Sequence, residues 1–185
     1  MQPFSSSPAE QILVNYFRAK DGNRPRLLDR VFSADAQLEV RNASSSIAFP
    51  GVTLGREQIA DVLVREFGRT YENVYSFYLS APPRGTVEQF SCSWLVGMTE
   101  KSDKTVRVGC GTYQWSFEYQ PRQCATTLVI AIEVMQVLAS PHQNRVLTWL
   151  EGLPYPWVSA DSAAHDAPGI GELTPVLDYL RHNVT

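Results

Sequence analysis

The sequence predicts an α+β domain in which helices come first and an antiparallel sheet follows. Three observations carry this. Before residue 68, three segments show apolar residues at helical spacing, as in Ile12, Leu13, Tyr16 and Phe17. From residue 73 the period changes to two, in four long runs rich in β-branched and aromatic residues (73–80, 87–99, 105–119 and 125–138). The links between those runs include Pro82-Pro83-Arg84-Gly85, Lys101-Ser102-Asp103-Lys104 and Gln120-Pro121-Arg122-Gln123. Such short polar links suit hairpins, because a parallel crossover takes a dozen or more residues.

The first helix starts at Ser7-Pro8-Ala9-Glu10, where Ser7 caps, Pro8 takes the first helical position and Glu10 completes a capping box. Asp21-Gly22-Asn23 ends it. Pro25 opens a short second helix that turns Leu27, Leu28, Val31 and Phe32 inward. A strand over 36–41 sets Leu38 and Val40 opposite Gln37, Glu39 and Arg41. A short edge strand broken at Pro50-Gly51 comes next, over 47–54. Ile59, Val62, Leu63 and Phe67 then mark a third helix ending near Gly68. Beyond Leu138, Ser140-Pro141 caps a helix with Val146, Leu147 and Leu150 as its stripe. Residues 153–157 read as an extended aromatic linker and 159–171 as a mobile loop. Thr174-Pro175 restarts a last helix carrying Leu177 and Leu180.

Composition excludes several classes. The 185 residues are 44% hydrophobic and 19% charged, which is globular, and the net charge of −3 comes without a Lys/Arg cluster to neutralise phosphates. Nucleic acid is therefore not an expected partner. The apolar run from Leu128 to Met135 is too short to span a bilayer, and the N-terminus lacks the basic and apolar regions of a secretory signal. The expected location is cytoplasmic, with no membrane partner. Cys92, Cys110 and Cys124 have no CxxC spacing, and His142, His165 and His182 all fall late, so neither a metal nor a cofactor is expected.

Three early segments carry a resemblance: Asn15-Tyr16-Phe17-Arg18-Ala19-Lys20, the stretch from Leu27 to Ala36, and Leu54-Gly55-Arg56-Glu57-Gln58-Ile59. With the stretch from Gly109 to Phe117 and the run Leu128-Val129-Ile130-Ala131-Ile132-Glu133, their order resembles the nuclear transport factor two-like superfamily. Its bacterial members include ketosteroid isomerases, SnoaL-like polyketide cyclases and limonene-epoxide hydrolases. The resemblance covers roughly residues 8–138. It implies a cone-shaped, strongly curved antiparallel sheet packed on three N-terminal helices and enclosing a pocket. On that reading residues 1–139 form the cone, and residues 140–185 are a helical extension packed on the same domain.

The resemblance also directs attention to particular residues. Tyr16 matches the phenol with which isomerases stabilise an enolate oxygen, and its alternative role is core packing. Val40 stands where the isomerase has its proton-shuttling Asp, and a valine moves no proton. Tyr113 falls at the second donor position. No Asp occurs in residues 105–138 for the epoxide-hydrolase arrangement, and no His precedes His142 for a dehydratase. The strand face bearing Arg107, Gly109, Gly111, Tyr113, Trp115 and Phe117 offers Tyr113 and Trp115 as ligand-contacting rings. Glu133, in an apolar context, is a candidate base that either enters the pocket or points out of the sheet.

The leading expectation is a SnoaL-like protein that binds a small, largely apolar molecule through Tyr16, Val40, Tyr113, Trp115 and Glu133. The alternative is a cyclase, isomerase or dehydratase using Glu133 as base and Tyr16 and Tyr113 as hydrogen-bond donors. A third expectation is a homodimer through the sheet, should the row Phe90, Cys92, Trp94, Val96 and Met98 face outward.

Overall fold

The computed structural model describes residues 6–182 and 184. Helix α1 (Pro8–Asp21) starts as its sequence dictates, with the Ser7 hydroxyl accepting the Glu10 amide at 3.2 Å. A 3-10 turn follows at Pro25–Arg30, then β1 (Phe32–Asn42) and β2 (Val52–Leu54). The third helical segment is α2 (Arg56–Ala60), a π-helical turn (Asp61–Glu66) and α3 (Phe67–Thr70). Strands β3 (Tyr71–Tyr78), β4 (Gln89–Glu100), β5 (Val106–Glu118) and β6 (Cys124–Leu138) complete one six-stranded, unclosed sheet in the order β2-β1-β6-β5-β4-β3.

Every neighbouring pair is antiparallel except β1 and β6, which run parallel. The short links of the sequence constrain only β3 to β6. The β1–β6 pair is joined by the long stretch 43–123 and is free of hairpin geometry. The edge strand expected over 47–54 shrinks to three residues, and the stretch before it is loop.

The sheet is apolar on both faces. Its concave face packs on α1, the 3-10 turn and the α2–α3 helix around Tyr16, Phe17, Phe32, Leu38, Leu63, Tyr113, Trp115 and Leu128. Its convex face presents Phe77, Leu95, Val106, Val108, Cys110 and Leu138. The C-terminal residues cover that second face with α4 (Gln143–Gly152), α5 (Ala160–His165) and α6 (Thr174–His182). Contact there is close: a Cβ at Gly97 would meet Leu150 Cδ1 at 2.1 Å.

Two expectations are corrected here. The segment 159–171 is not simply a loop. Ser159 caps α5 by accepting the Ser162 amide, while Ala163 and Ala164 are buried and the Ala163 carbonyl accepts the Trp149 indole N–H at 3.0 Å. Small residues suit a helix that must lie close to a tryptophan. The row Cys92, Trp94, Val96 and Met98 faces the concave core, with Phe90 packed against it, so it offers no outward dimer surface. Leu95, of opposite parity, points to the convex face and is covered by the chain's own helices.

No helix among the described residues is long and apolar enough to cross a membrane. All three cysteines are free and buried. Because Leu150 of α4 is buried on the convex face against Gly97, Leu150→Ala is expected to cost about 2–5 kcal/mol of unfolding free energy in urea titrations. A loss below about 1 kcal/mol would show that the extension contributes little to that core.

Candidate functional site

The concave core does not close completely. An apolar cavity of about 50 Å³ remains between the sheet and the α2–α3 helix. Val40, Ile130, Ile132 and Met135 line it from β1 and β6, and Trp94, Val96 and Met98 from β4. Leu63 and Phe67 come from the helix, and Ile47 and Phe49 from the loop over 43–51. Side chain-to-backbone bonds hold that loop in place. Asn42 Nδ2 donates to the Ile47 carbonyl at 2.6 Å, and Ser46 Oγ donates to the Met135 carbonyl at 3.2 Å.

The wall has a β-bulge that sets its composition. Gly111 pairs with Ile132 while Cys110 pairs with Val134, which leaves Glu133 as the extra residue. Upstream, even-numbered residues of β6 (Leu128, Ile130, Ile132) face the concave core; downstream, Met135 does. Gly111 permits the pinch, since a Cβ there would come within 1.9 Å of the Ala131 carbonyl oxygen.

The polar groups on the cavity come from Tyr16, Tyr113, Trp94 and Lys20. The Tyr16 hydroxyl and the Trp94 Nε1 are buried without a well-formed hydrogen bond. Burial pushes the Tyr16 phenol well above its ordinary range, although the Tyr113 side chain beside it pulls the other way. Burial likewise raises Tyr113 and Tyr78. All three are therefore neutral at ordinary pH. The Tyr78 hydroxyl is occupied, donating to the Leu13 carbonyl at 2.9 Å.

Lys20 is the feature that sequence reading missed. It lies one helical turn beyond Tyr16, on the same face of α1, and its side chain is only 7% exposed. Its Nζ donates to Asp21 Oδ1 at 2.7 Å and to Ser76 Oγ at 2.8 Å. Ser76 in turn donates its hydroxyl to Asp21 Oδ1 (2.8 Å) and its amide to Asp21 Oδ2 (3.0 Å). An ammonium carries three donors, and the third is left to the cavity and to the Phe67 ring, whose centroid lies 4.9 Å from Nζ. The spacing from Tyr16 to Lys20 was the available signal. Asp21 had been read only as a helix end.

The residues singled out from sequence divide into two groups. Tyr16, Val40 and Tyr113 come together on the cavity. Trp115 does not line it; the ring lies deeper, stacked near Phe32 (5.9 Å) and Phe117 (6.1 Å) and edge-on to Tyr16 at 5.0 Å. Trp115 thus fills space. Glu133 is exposed among Arg41, Thr112 and Gln114, and it acts electrostatically on Cys110 and Tyr179 of the convex side. The bulge directs it away from the cavity, so it is not placed to serve as a pocket base. Among the described residues, no Asp, Glu or His lines the cavity.

No protein-family model matches the chain, and no curated protein matches it by sequence. Solved structures do. A hexachlorocyclohexane dehydrochlorinase, LinA-type3 from Novosphingobium barchaimii LL02, is 13% identical with a TM-score of 0.55 over 71% of this chain and 88% of its own. A protein with a ketosteroid isomerase-like fold from Catenulispora acidiphila DSM 44928, in complex with trimethylamine, is 18% identical with a TM-score of 0.52 over 68% and 85%. A nuclear transport factor 2-like superfamily protein from Salmonella enterica serovar Typhimurium LT2 is 15% identical with a TM-score of 0.52 over 68% and 88%. The class is therefore an α+β cone with a pocket on its concave side. This chain has the nuclear transport factor two-like fold.

The buried ion pair yields two expectations. Lys20→Met, which strands the Asp21 carboxylate, should cost about 3–5 kcal/mol, whereas Lys20→Met with Asp21→Leu should recover most of that loss. Equal losses in the single and double variants would show that the two charges are not coupled. Burial, outweighing Lys20 and Ser76, holds the Asp21 carboxyl above its ordinary value of 3.8. A raised native pKa favours the fold below that ordinary value and ceases to do so as the pH climbs through the raised one. Wild type should therefore gain stability relative to Asp21→Asn as the pH falls from 7 to 4. A gain in the opposite direction would mean that the ion pair outweighs burial.

Proposed function

We propose that the protein binds a small, largely apolar molecule in the cone, with one hydrogen-bond-accepting atom directed at Tyr16, Trp94 and Lys20. The observation that carries this reading is the pairing of an apolar wall with buried donors that lack acceptors. An unpaired buried donor costs about 1–3 kcal/mol, and a ligand carbonyl or ether oxygen would recover part of it. The phenol of Tyr16 is held neutral, the indole of Trp94 only donates, and an ammonium has no lone pair to offer. Such a pole selects an acceptor.

Charge supports the same choice. Lys20 and Asp21 cancel at 2.7 Å, so an uncharged acceptor is favoured over an ion. One structural neighbour is described in complex with trimethylamine. A protonated amine in this cavity would meet the Lys20 ammonium without a carboxylate on the wall to balance it. Size matters too. At about 50 Å³ the inner cavity admits a head group of a few heavy atoms, compared with about 300–1,000 Å³ for pockets that enclose drug-sized ligands. The enzyme reading based on Glu133 loses its base to the outer surface, and binding is the function that the remaining groups support.

Titration of the labelled protein with butan-2-one, followed by NMR shifts, tests this. Tyr16→Phe and Trp94→Phe should each weaken binding about two- to tenfold, and Val96→Phe, which fills the cavity, should abolish it. Unchanged shifts in folded Val96→Phe would place the ketone elsewhere and end the proposal.

A further inference from the structure

A second, larger space adjoins the inner cavity. A vestibule of about 250 Å³ lies outside it, and Ile47, Phe49 and Phe67 line both compartments. Tyr16, Trp94, Tyr113 and Lys20 line only the inner one. Ala48, Pro50, Val62 and Tyr71 line only the outer one, with Glu66 and Thr70 also on its wall. The two spaces differ in lining: the buried donors of Tyr16 and Trp94 belong to the inner one, Ile47, Phe49 and Phe67 form the shared apolar boundary, and the outer one adds Glu66 and Thr70 to its walls.

We infer that the ligand is elongated, an uncharged acceptor head carrying an unbranched apolar tail, and that the vestibule is the tail site that sets preferred chain length. This rests on the reading that the inner cavity binds an acceptor-bearing molecule. The occupant follows from adjacency, since only three side chains stand between the two spaces. A molecule seated on Tyr16 and Trp94 that outgrows about 50 Å³ passes the three shared side chains into the vestibule. The helix beside it is suited to this double duty. Within and just after the π-helical turn, Leu63 and Phe67 serve the inner compartment, and Val62, Glu66 and Phe67 serve the outer one. Such π-turns recur at functional sites because they offset the side-chain rows of a helix. The loop over 43–51 supplies the rest of the shared boundary through Ile47 and Phe49.

A homologous series of alkan-2-ones from butan-2-one to dodecan-2-one, measured by calorimetry or NMR, tests the inference. Affinity should rise about fourfold per added methylene while the tail fills the vestibule, and then level off. Val62→Trp, which narrows only the vestibule, should bring the plateau to shorter ketones and leave butan-2-one unaffected. Thr70→Trp on the exposed side of the same chamber should act in the same direction, a control should Val62→Trp disturb folding. Affinity that is flat beyond butan-2-one would overturn the tail site, as would a Val62→Trp loss equal for short and long ketones. If no ketone of the series binds, the underlying reading falls as well.

Discussion

Strand β4 must be buried on both sides, and the rest of the architecture answers that demand. From Cys92 to Thr99 every residue of the strand is buried. Trp94, Val96 and Met98 belong to the concave core and Leu95 to the convex one. A single helical layer can cover only one face of a sheet. The N-terminal helices take the concave side, and the C-terminal extension takes the convex side with Val146, Trp149, Leu150, Val176 and Leu180. The extension is thus the second cover of a three-layer domain. The linker before α5 reaches the other side, since Tyr78 and Trp157 form a β-bridge and their rings stack at 4.6 Å against the concave core.

The cavity exists because the concave layer is curved, and the curvature has a local cause. Where Gly111 faces Ile132, one extra residue enters β6 and the backbones close to a distance that only glycine allows. The bulge also switches parity, so that Ile132 and Met135, three residues apart, share one wall. That switch excludes Glu133 from the cavity. A carboxylate flanked by isoleucine and valine stands out in the sequence, but its side of the sheet depends on a bulge that alternation alone does not reveal.

Much of the fold was readable because its signals are local. Ser7, Pro8 and Glu10 start α1 where capping chemistry says they should, and period-two alternation locates the four long strands within a few residues. The parity of β5 put Tyr113 and Trp115 on one shared face, and the structure shows that face to be the concave one. What was not readable depends on tertiary context. Alternation says which side chains share a face, but not whether a given ring lines a void or fills it. Trp115 therefore ended in the packed interior while Tyr113 reached the cavity. The Lys20–Asp21–Ser76 cluster joins a helix end to a strand 55 residues away in the chain. Local sequence showed only a charged helix terminus.

That cluster bears on function for an energetic reason. A buried ion pair is seldom the most stable filling for its volume, because desolvating two charges offsets most of their attraction. Met or Leu in place of Lys20 and Asp21 would pack against Phe17, Phe67 and Val74 without that penalty. Ser76 uses both its hydroxyl and its amide to hold the Asp21 carboxylate, which in turn accepts from Lys20 Nζ. The arrangement keeps an ammonium at the wall of an otherwise apolar cavity without giving the site a net charge. On the proposed reading, a ligand oxygen there would exchange water for a donor already desolvated and already positioned.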